Sequence, residues 1–332
     1  MTKVWRLLFI FLTLSLILVV AANLVLPDNN LHMVFCDVGQ GDGILLYQKD
    51  KQVIVDGGPN DSILSCMSRY LPFWDRKVEV VILTNPDTDH YTGLVSILKN
   101  YKVENYVAPQ LSKDDASFAA FQKVVQAEEK EGMRVHYGYA GQRIDLASPG
   151  VTSRAWRVWE MEEVWPTREY FAQTVIPAQA GNQKDIDWVP ASAGMTKEGA
   201  VLSTSTGKET NELSLVYLLK FGNFKALLTG DLQPPATDAV EQFIARQEGE
   251  RGLKSATTVL KVPHHGSKNG LTEGLLKAVS PQLAVISVGR NNRFGHPSPE
   301  TLNLLKGVQT LRTDQEGDIE VVTDGKMWWV SK

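Results

Sequence analysis

A buried strand that runs directly into a group of acids and a histidine constrains this chain more than any other feature. Residues 78–83 are an apolar, β-branched run typical of a strand covered on both faces. Four polar side chains follow within six residues, ahead of a helix-like segment: Asn85, Asp87, Asp89 and His90. Ligands bind at the carboxyl ends of strands in open α/β sheets. A helix-capping turn is the plainer interpretation, but matching segments downstream favour a metal site.

The amino terminus contains a long uncharged segment. Residues 7–26 carry no charge, and about 20 such residues span a bilayer core as a helix. Positive charges precede the segment and none follows it directly, which predicts a cytoplasmic amino terminus and an exported remainder. A cleaved signal peptide is the alternative, but the apolar core is longer than signal cores usually are. We therefore expect residues 1–30 to be a single-pass membrane anchor or signal segment, with secretion after cleavage as the second case.

Composition excludes few classes of protein. The chain has 332 residues, a net charge of -4 and 43% hydrophobic residues, as ordinary globular proteins do. With no global excess of positive charge, any contact with nucleic acid must be local. Cys36 and Cys66 are too few for a disulfide framework or a structural zinc site, and the sequence leaves open whether they pair.

The order of elements predicts an α/β layered sandwich, because strand-like runs alternate with single helical segments after initial hairpins. The glycine-rich residues 39–43 join two strands, and their spacing does not fit a dinucleotide or phosphate loop. They predict a tight hairpin turn. Residues 310–330 are typical of a small sheet with glycine-containing turns.

One segment does not follow this rhythm. Residues 151–208 have no sustained period, and within them residues 177–181 and 190–194 are near copies. Residues 175–196 resemble the translated palindromic repeats inserted in some bacterial genes. We expect a loop insertion at about 151–208, which a fold tolerates at little cost, within one domain covering residues 31–330. An ordinary long loop is the alternative, and neither interpretation predicts catalysis there.

Further polar clusters end later strand-like runs, as if several strands contributed to one site. They contain Asp231, His264, His265, Asn291, Asn292 and His296. Carboxylates and imidazoles at strand ends can hold two adjacent cations, which polarise a substrate oxygen and activate water. A bridging carboxylate such as Asp231 would draw two metal ions to about 3.5–4 Å from each other.

Seven short segments in this order resemble the metallo-β-lactamase superfamily, in particular the hydrolase domain of ComEC-type competence proteins. They are FCDVGQGD at 35–42, VDGG at 55–58, DTDH at 87–90, NELSLV at 211–216, LLTGD at 227–231, KVPHHGS at 261–267 and NRFGHP at 292–297. Each is weak alone, but the order is specific. The resemblance covers residues 31–330 without the insertion. It implies a four-layer αββα sandwich, here preceded by one transmembrane helix, with a metal site at one edge.

The resemblance also implies roles for individual residues. The implied metal ligands are Asn85, Asp87, Asp89, His90, Asp231 and His264. Asp89 and His265 would act in catalysis, His265 as a transition-state donor or a supporting group. The implied supporting or substrate-binding residues are Asp56, Asn211, Ser267, Asn292 and His296.

The chain departs from the family pattern at one of its two metal positions. Asn85 and Asp87 stand where the family has histidines, and no histidine lies between His136 and His264. Fewer imidazoles and more oxygen ligands shift preference from zinc towards manganese or magnesium. We therefore expect one or two divalent ions, zinc or manganese, with magnesium as a third candidate.

These features lead us to expect an exported, membrane-tethered metal-dependent hydrolase, a phosphodiesterase or nuclease in which a metal-bound hydroxide attacks phosphorus. Single-stranded DNA and a DNA-uptake channel are the expected partners. The alternatives are a hydrolase of another ester or lactam, and a catalytically degenerate module that binds DNA or a partner. A sequence pI near 5.9 favours the other-ester alternative over a DNA enzyme. A local basic rim would favour DNA, and its candidates are Lys261, Lys268, Arg290 and Arg293.

Overall fold

Two mixed β-sheets packed face to face form the centre of the computed structural model. The residues that the structure describes are 3–25, 28–145, 159–175, 202–204, 209–251 and 257–331. Helices cover both outer faces of the sheets, as three separate hydrophobic clusters show. The expected four-layer αββα arrangement of the globular part is confirmed.

The strands of the described residues, in chain order, are β1 (Leu31–Phe35), β2 (Gly43–Gln48), β3 (Lys51–Gly57), β4 (Lys77–Ile82), β5 (Lys102–Ala108), β6 (Leu111–Lys113), β7 (Arg134–Tyr137), β8 (Arg143–Asp145), β9 (Glu160–Trp165), β10 (Leu202–Thr204), β11 (Val216–Phe221), β12 (Phe224–Leu228), β13 (Val259–Lys261), β14 (Leu283–Ile286), β15 (Gln309–Arg312), β16 (Ile319–Thr323) and β17 (Trp328–Ser331). The helices are α1 (Lys3–Val25), α2 (Ser62–Tyr70), α3 (Thr88–Asn100), α4 (Ala116–Lys130), α5 (Arg168–Val175), α6 (Glu209–Glu212), α7 (Ala236–Arg251), α8 (Glu273–Val279), α9 (Pro299–Leu304) and α10 (Thr313–Glu316), with a short 3-10 turn at Pro263–Gly266.

The strand order brings many carboxyl ends to one edge of the sandwich. The first sheet runs β17-β16-β1-β2-β3-β4-β5-β7, and the second runs β15-β14-β13-β12-β11-β9-β8. Strands β3, β4, β5 and β7 are parallel to one another, and so are β12, β13, β14 and β15. Loops that follow parallel strands emerge at the same edge of a sheet, which is where ligands bind in such folds.

Alternation along the strands divides the apolar side chains between two cores. In β1, Leu31, Met33 and Phe35 belong to the core between the sheets, whereas Val34 faces the helices. This is the period of two that a strand requires when both of its faces are covered. Helices α2, α3 and α4 cover the first sheet, and α7 and α8 cover the second.

The two cysteines form a disulfide bond. Cys36 follows β1 and Cys66 lies in α2, with 5.8 Å between their Cα atoms. Both side chains are buried in the core between the first sheet and its helices. The bond therefore ties the start of the glycine-rich turn to the helical layer.

The predicted membrane-spanning helix is not confirmed. Counting only the residues whose placement is described, no helix combines the length and the apolarity needed to cross a membrane.

The predicted insertion at 151–208 includes part of the second sheet. Strand β9 pairs with β11 and β8, and Trp159 and Met161 are buried between the sheets. Three glutamates in its six residues hide the strand period, and two of them, Glu162 and Glu163, pair with Lys220 and Tyr217. The near-copy segments lie outside the described residues, and the insertion itself and the domain division remain predictions.

The carboxyl-terminal strands correct a second expectation. Residues 310–330 were expected to make a small sheet of their own, but β15 extends the second sheet, while β16 and β17 extend the first. Strand β16 pairs with β1 over five residues, so the end of the chain closes onto its first strand.

Replacing both Cys36 and Cys66 by alanine should lower the free energy of unfolding by about 2–4 kcal/mol, since the bond closes a loop of 30 residues. Urea unfolding of the double variant, beside the wild type with and without reductant, measures the difference. Equal stability of the oxidised wild type and the variant would contradict the pairing.

Candidate metal centre

Glycine residues let the loops at the carboxyl edge approach one another closely. A Cβ atom at Gly93 would lie 2.0 Å from the carbonyl oxygen of Gly57, and one at Gly41 would lie 2.2 Å from that of Asp89. Only glycine fits such contacts. The backbone amide of Asp42 donates a hydrogen bond to the Asp89 carbonyl at 3.2 Å. The glycine-rich turn thus packs against the start of α3. The Asp42 side chain lies beside His265 and Lys261.

His90 lies in the first turn of α3 and is held from behind by Asp56. The His90 Nδ1–H donates to Asp56 Oδ2 at 2.9 Å. Asp56 also accepts from the Thr84 amide at 2.7 Å and from the Thr84 hydroxyl at 2.6 Å, which fixes the carboxylate. A proton on Nδ1 leaves the lone pair on Nε2 to face the cluster, as in carboxylate–histidine–metal arrangements.

His265 faces His90 across the site. It lies in the 3-10 turn after β13, with a left-handed φ of +54°. Its Nδ1–H donates to the Ser287 carbonyl oxygen at 3.0 Å, so its Nε2 is also free to act as a ligand. A left-handed non-glycine residue is strained, and such strain clusters at functional sites.

Asp231 joins the two imidazoles. Its Oδ2 lies 3.2 Å from His90 Nε2, and its Oδ1 lies 3.3 Å from His265 Nε2. Its backbone amide donates to the Ser214 hydroxyl at 3.3 Å, which anchors the turn after β12. Asp231 therefore has the position of a carboxylate shared by both histidines.

The buried ligand atoms of this cluster fit a divalent cation. One ligand atom from each of Asp42, His90, Asp231 and His265 lies within 4.8 Å of all the others, and all four side chains are buried. His90 Nε2, His265 Nε2 and Asp231 Oδ1 have no hydrogen-bond partner among the described residues. Buried polar atoms without partners are costly. Two imidazole nitrogens facing a carboxylate are ligands that zinc and manganese accept.

Asp42 lies on the other side of the rings from Asp231. Its carboxylate is 3.5 Å from His265 Nδ1 and 4.0 Å from His90 Nδ1, whereas Asp231 faces both Nε2 atoms. The ammonium of Lys261, which is completely buried, forms an ion pair with Asp42 and donates to the Gly230 carbonyl at 2.7 Å. We infer that Asp42 and Lys261 form a charged layer beneath the candidate ligands.

The cluster holds its carboxylates ionised. Burial alone raises the pKa of Asp231, but the imidazoles of His265 and His90 outweigh it and hold that pKa well below its ordinary value. Burial lowers the pKa of both imidazoles, yet the surrounding carboxylates raise it well above its ordinary value. For Asp42, burial is outweighed by the Lys261 ammonium, which lowers the pKa to about 2. A cation that binds here displaces protons from the imidazoles.

Two predicted ligands lie at the open side of the cluster. Asp89 Oδ2 is 3.4 Å from His265 Nε2, and 26% of the Asp89 side chain is exposed. His264 Nε2 is 3.8 Å from Asp231 Oδ2, with 22% of its side chain exposed. The geometry therefore favours His265 over His264 as a ligand, the reverse of the roles that the resemblance implies.

Asn85 and Asp87 each have partners within the protein beside the cluster. The Asn85 amide donates to Asn211 Oδ1 at 2.7 Å and to the Ser214 hydroxyl at 3.2 Å, and its oxygen accepts from the Asp87 amide at 3.0 Å. The Asp87 carboxylate pairs with Lys113. Hydrogen bonds and an ion pair within the protein thus occupy the side chains expected to hold a second metal ion.

The remaining predicted residues build the loops around the site. Ser267 accepts a hydrogen bond from the Asn269 amide at 3.3 Å. Asn292 donates to the carbonyls of Gly289 at 2.9 Å and His296 at 2.7 Å, and it accepts from the His296 amide at 2.9 Å. The His296 ring lies 5.9 Å from the His264 ring and so reaches the open side of the site.

Sequence reasoning missed the roles of Asp42 and Lys261. The sequence pattern places Asp42 only within a motif, and it indicates Lys261 only as a candidate for a basic rim. For Asp42, the signal in the sequence is an acidic residue at the end of a glycine-rich turn, directly before an apolar strand. A second signal was a single charge inside the apolar run of residues 258–262. A charge inside such a run is buried, and a buried charge needs a partner.

An αββα sandwich with histidines and aspartates converging at one sheet edge has the architecture of a metal-dependent hydrolase. Residues 36–290, more than half of the chain, match the sequence profile of the metallo-beta-lactamase superfamily. The chain therefore belongs to the metallo-beta-lactamase superfamily, and within it the chain is related to ComEC-type competence proteins.

The relatives are much longer than this chain. ComE operon protein 3 of Bacillus subtilis is 27% identical over 305 residues, which are 86% of this chain and 32% of that protein. Competence protein ComA of Neisseria gonorrhoeae is 33% identical over 114 residues, which are 34% of this chain and 16% of that protein. The chain spans a third or less of their lengths. The solved metallo-beta-lactamase fold protein YhfI from Bacillus subtilis is 11% identical, covering 91% of this chain and 100% of that chain, with a TM-score of 0.43.

Replacing Asp56 by asparagine should weaken divalent-metal affinity about 10- to 100-fold, because it removes the carboxylate that orients His90. Titration calorimetry with zinc and manganese on the full chain measures the change. Glu79→Gln is the matched control, since Glu79 is a buried carboxylate towards the amino end of β4. Equal affinities of Asp56→Asn and the wild type would contradict the supporting role.

Replacing Lys261 by methionine should lower the free energy of unfolding by about 3–5 kcal/mol, because it leaves the Asp42 carboxylate buried and unpaired. The double variant Asp42→Asn/Lys261→Met should regain much of that loss. Urea unfolding measures the cycle, with Lys277→Met as an exposed-pair control that changes little. A double variant as unstable as the sum of the single ones would contradict the pairing.

Proposed function

We propose that this chain is a metal-dependent phosphodiesterase that cleaves nucleic-acid strands. The observation that carries the proposal is the set of buried ligand atoms without partners on His90, His265 and Asp231. Competence proteins among the relatives support a nucleic-acid substrate. Because the chain covers only part of those relatives, the substrate is inferred for this chain by analogy.

The proposed centre holds one divalent ion. Nε2 of His90, Nε2 of His265 and the Asp231 carboxylate would bind it, with Asp89 completing the set from the open side. This mixture of imidazole and carboxylate favours zinc or manganese over magnesium. Such an ion supplies Lewis acidity towards a phosphoryl oxygen and towards water.

The protein's own groups complete the reaction. Asp89 is partly exposed and can accept a proton from the attacking water. As the new P–O bond forms, the P–O bond to the departing strand breaks, and Asp89 can return the proton to the leaving oxygen. The Nε2 of His264, at the open side beside Asp231, can stabilise the negative charge that develops on the phosphoryl oxygens. In this proposal the Lys261 ammonium balances the charge of the ionised Asp42 carboxylate. The imidazoles then keep their orientation towards Asp231.

We also propose that the protein works outside the cytoplasm, next to a membrane channel for DNA uptake. The Cys36–Cys66 disulfide supports an oxidising compartment, where such bonds persist. Competence-protein relatives support DNA as the partner, and single-stranded DNA is the form that we propose. Tethering through the amino terminus remains a prediction from the uncharged segment at residues 7–26.

A binding module without catalysis is the second candidate. It is favoured by one observation, which is that the side chains of Asn85 and Asp87 already have partners within the protein. Such a module would have the same fold and would bind DNA or a partner, but it would hold no metal ion tightly.

The test is metal content and turnover of the full chain. We expect about one tightly bound divalent ion and cleavage of single-stranded DNA and of a p-nitrophenyl phosphodiester. Asp231→Asn should reduce turnover by more than about 100-fold and release the ion, since it removes the shared ligand. Asp50→Asn, on a turn between β2 and β3, is the control and should change neither.

Three outcomes would contradict the proposal in different ways. Unchanged phosphodiester turnover after Asp231→Asn would show that the cluster does not take part in the reaction. Turnover of a lactam or carboxylic ester instead of a phosphodiester would favour the other-hydrolase alternative. Neither metal nor turnover with any added ion, together with DNA binding, would favour the binding module.

A further inference from the structure

A line of rings connects the metal centre to the protein surface. It starts at His264, whose Nε2 lies 3.8 Å from Asp231. The His264 and His296 rings are 5.9 Å apart, and the His296 and Phe294 rings are 5.9 Å apart with an interplanar angle of 17°. The guanidinium carbon of Arg293 lies 5.3 Å from the centre of the Phe294 ring.

The outermost ring is exposed although its loop is well ordered by hydrogen bonds. Phe294 is 55% exposed, whereas the four clustered residues Asp42, His90, Asp231 and His265 are buried. The three hydrogen bonds of Asn292 close the loop around it, and Gly295 takes the left-handed φ of +71° that this tight turn requires. The exposed ring is therefore held in place by the fold.

Aromatic rings and positive charges occur together on this surface, because Arg293 lies over the Phe294 ring at its outer end. The net charge of -4 leaves only local positive charge to attract a polyanion, and Arg290 and Arg293 provide it on this loop. Proteins bind single strands by combining such a basic surface with aromatic side chains on which bases stack. Arginine over an aromatic ring extends the stacking surface and adds a cation–π contact.

We propose that Phe294 is the stacking platform for a base next to the cleaved bond of a single-stranded nucleic acid, with Arg293 contacting the adjoining phosphate. The inference rests on the proposed phosphodiesterase function and names the substrate class of that site. A stacked base would hold the strand so that the neighbouring phosphate lies over His264 and His296, beside Asp231. This subsite separates a strand-cleaving enzyme from a general esterase, which has no need of an exposed ring there.

The test compares Phe294→Ala with Phe294→Trp on two substrates. One is a short single-stranded DNA, and the other is the same strand with abasic sites. We expect Phe294→Ala to raise KM on the normal strand by roughly 5- to 100-fold, the usual effect of losing one stacked base. The loss on the abasic strand should be much smaller, and Phe294→Trp should retain the wild-type KM on both because it keeps a ring.

Phe73→Ala is the matched control. Phe73 is 79% exposed and precedes β4, at the end of that strand opposite to the metal centre. Its loss should leave KM unchanged on both strands, which excludes a general effect of removing an exposed aromatic side chain.

Fluorescence anisotropy of labelled single-stranded DNA measures binding at the Phe294 subsite independently of cleavage. If the wild type cleaves no phosphodiester, the proposed function fails. Weaker binding of labelled single-stranded DNA by Phe294→Ala would still support the platform, and equal binding would overturn it. If the wild type does cleave the strand, equal KM values for Phe294→Ala and the wild type overturn the platform and leave the proposed function intact.

Discussion

The centre of this structure depends on fixing the protons of two histidines. Asp56 takes the Nδ1–H of His90, and the Ser287 carbonyl takes the Nδ1–H of His265. Both Nε2 atoms then face Asp231, and neither has a hydrogen-bond partner among the described residues. Such a buried set of ligand atoms fits a cation, and the hydrogen bonds behind the rings define the site as much as the ligands do.

The fold supplies this geometry by bringing the ends of parallel strands to one edge. Asp56 lies near the end of β3, whereas Asp231 follows β12 and His265 follows β13, so no two of these groups are close in sequence. The glycine contacts at Gly41 and Gly93 let the turn and the helix close over the site. Beneath it, the buried Lys261 ammonium balances the charge of the Asp42 carboxylate.

Sequence patterns predicted the layers well, because apolar periodicity reports directly on burial. They predicted Asp89, His90 and Asp231 near one another for the same reason, since each follows a buried strand. They failed for β9, where three glutamates conceal the period, and for Lys261, whose burial depends on a partner far away in the chain. Whether His264 or His265 faces the cluster depends on left-handed backbone angles that no local pattern encodes.

Metal binding by two single variants of adjacent histidines tests the account most directly. The measurement is the number of tightly bound zinc or manganese ions per full chain in His265→Ala and His264→Ala, determined by elemental analysis after dialysis. The account predicts one ion in the wild type, none in His265→Ala and one in His264→Ala, because only His265 has its Nε2 within 3.4 Å of both Asp89 and Asp231. Loss of the ion from His264→Ala but not from His265→Ala, or two ions in the wild type, would contradict it.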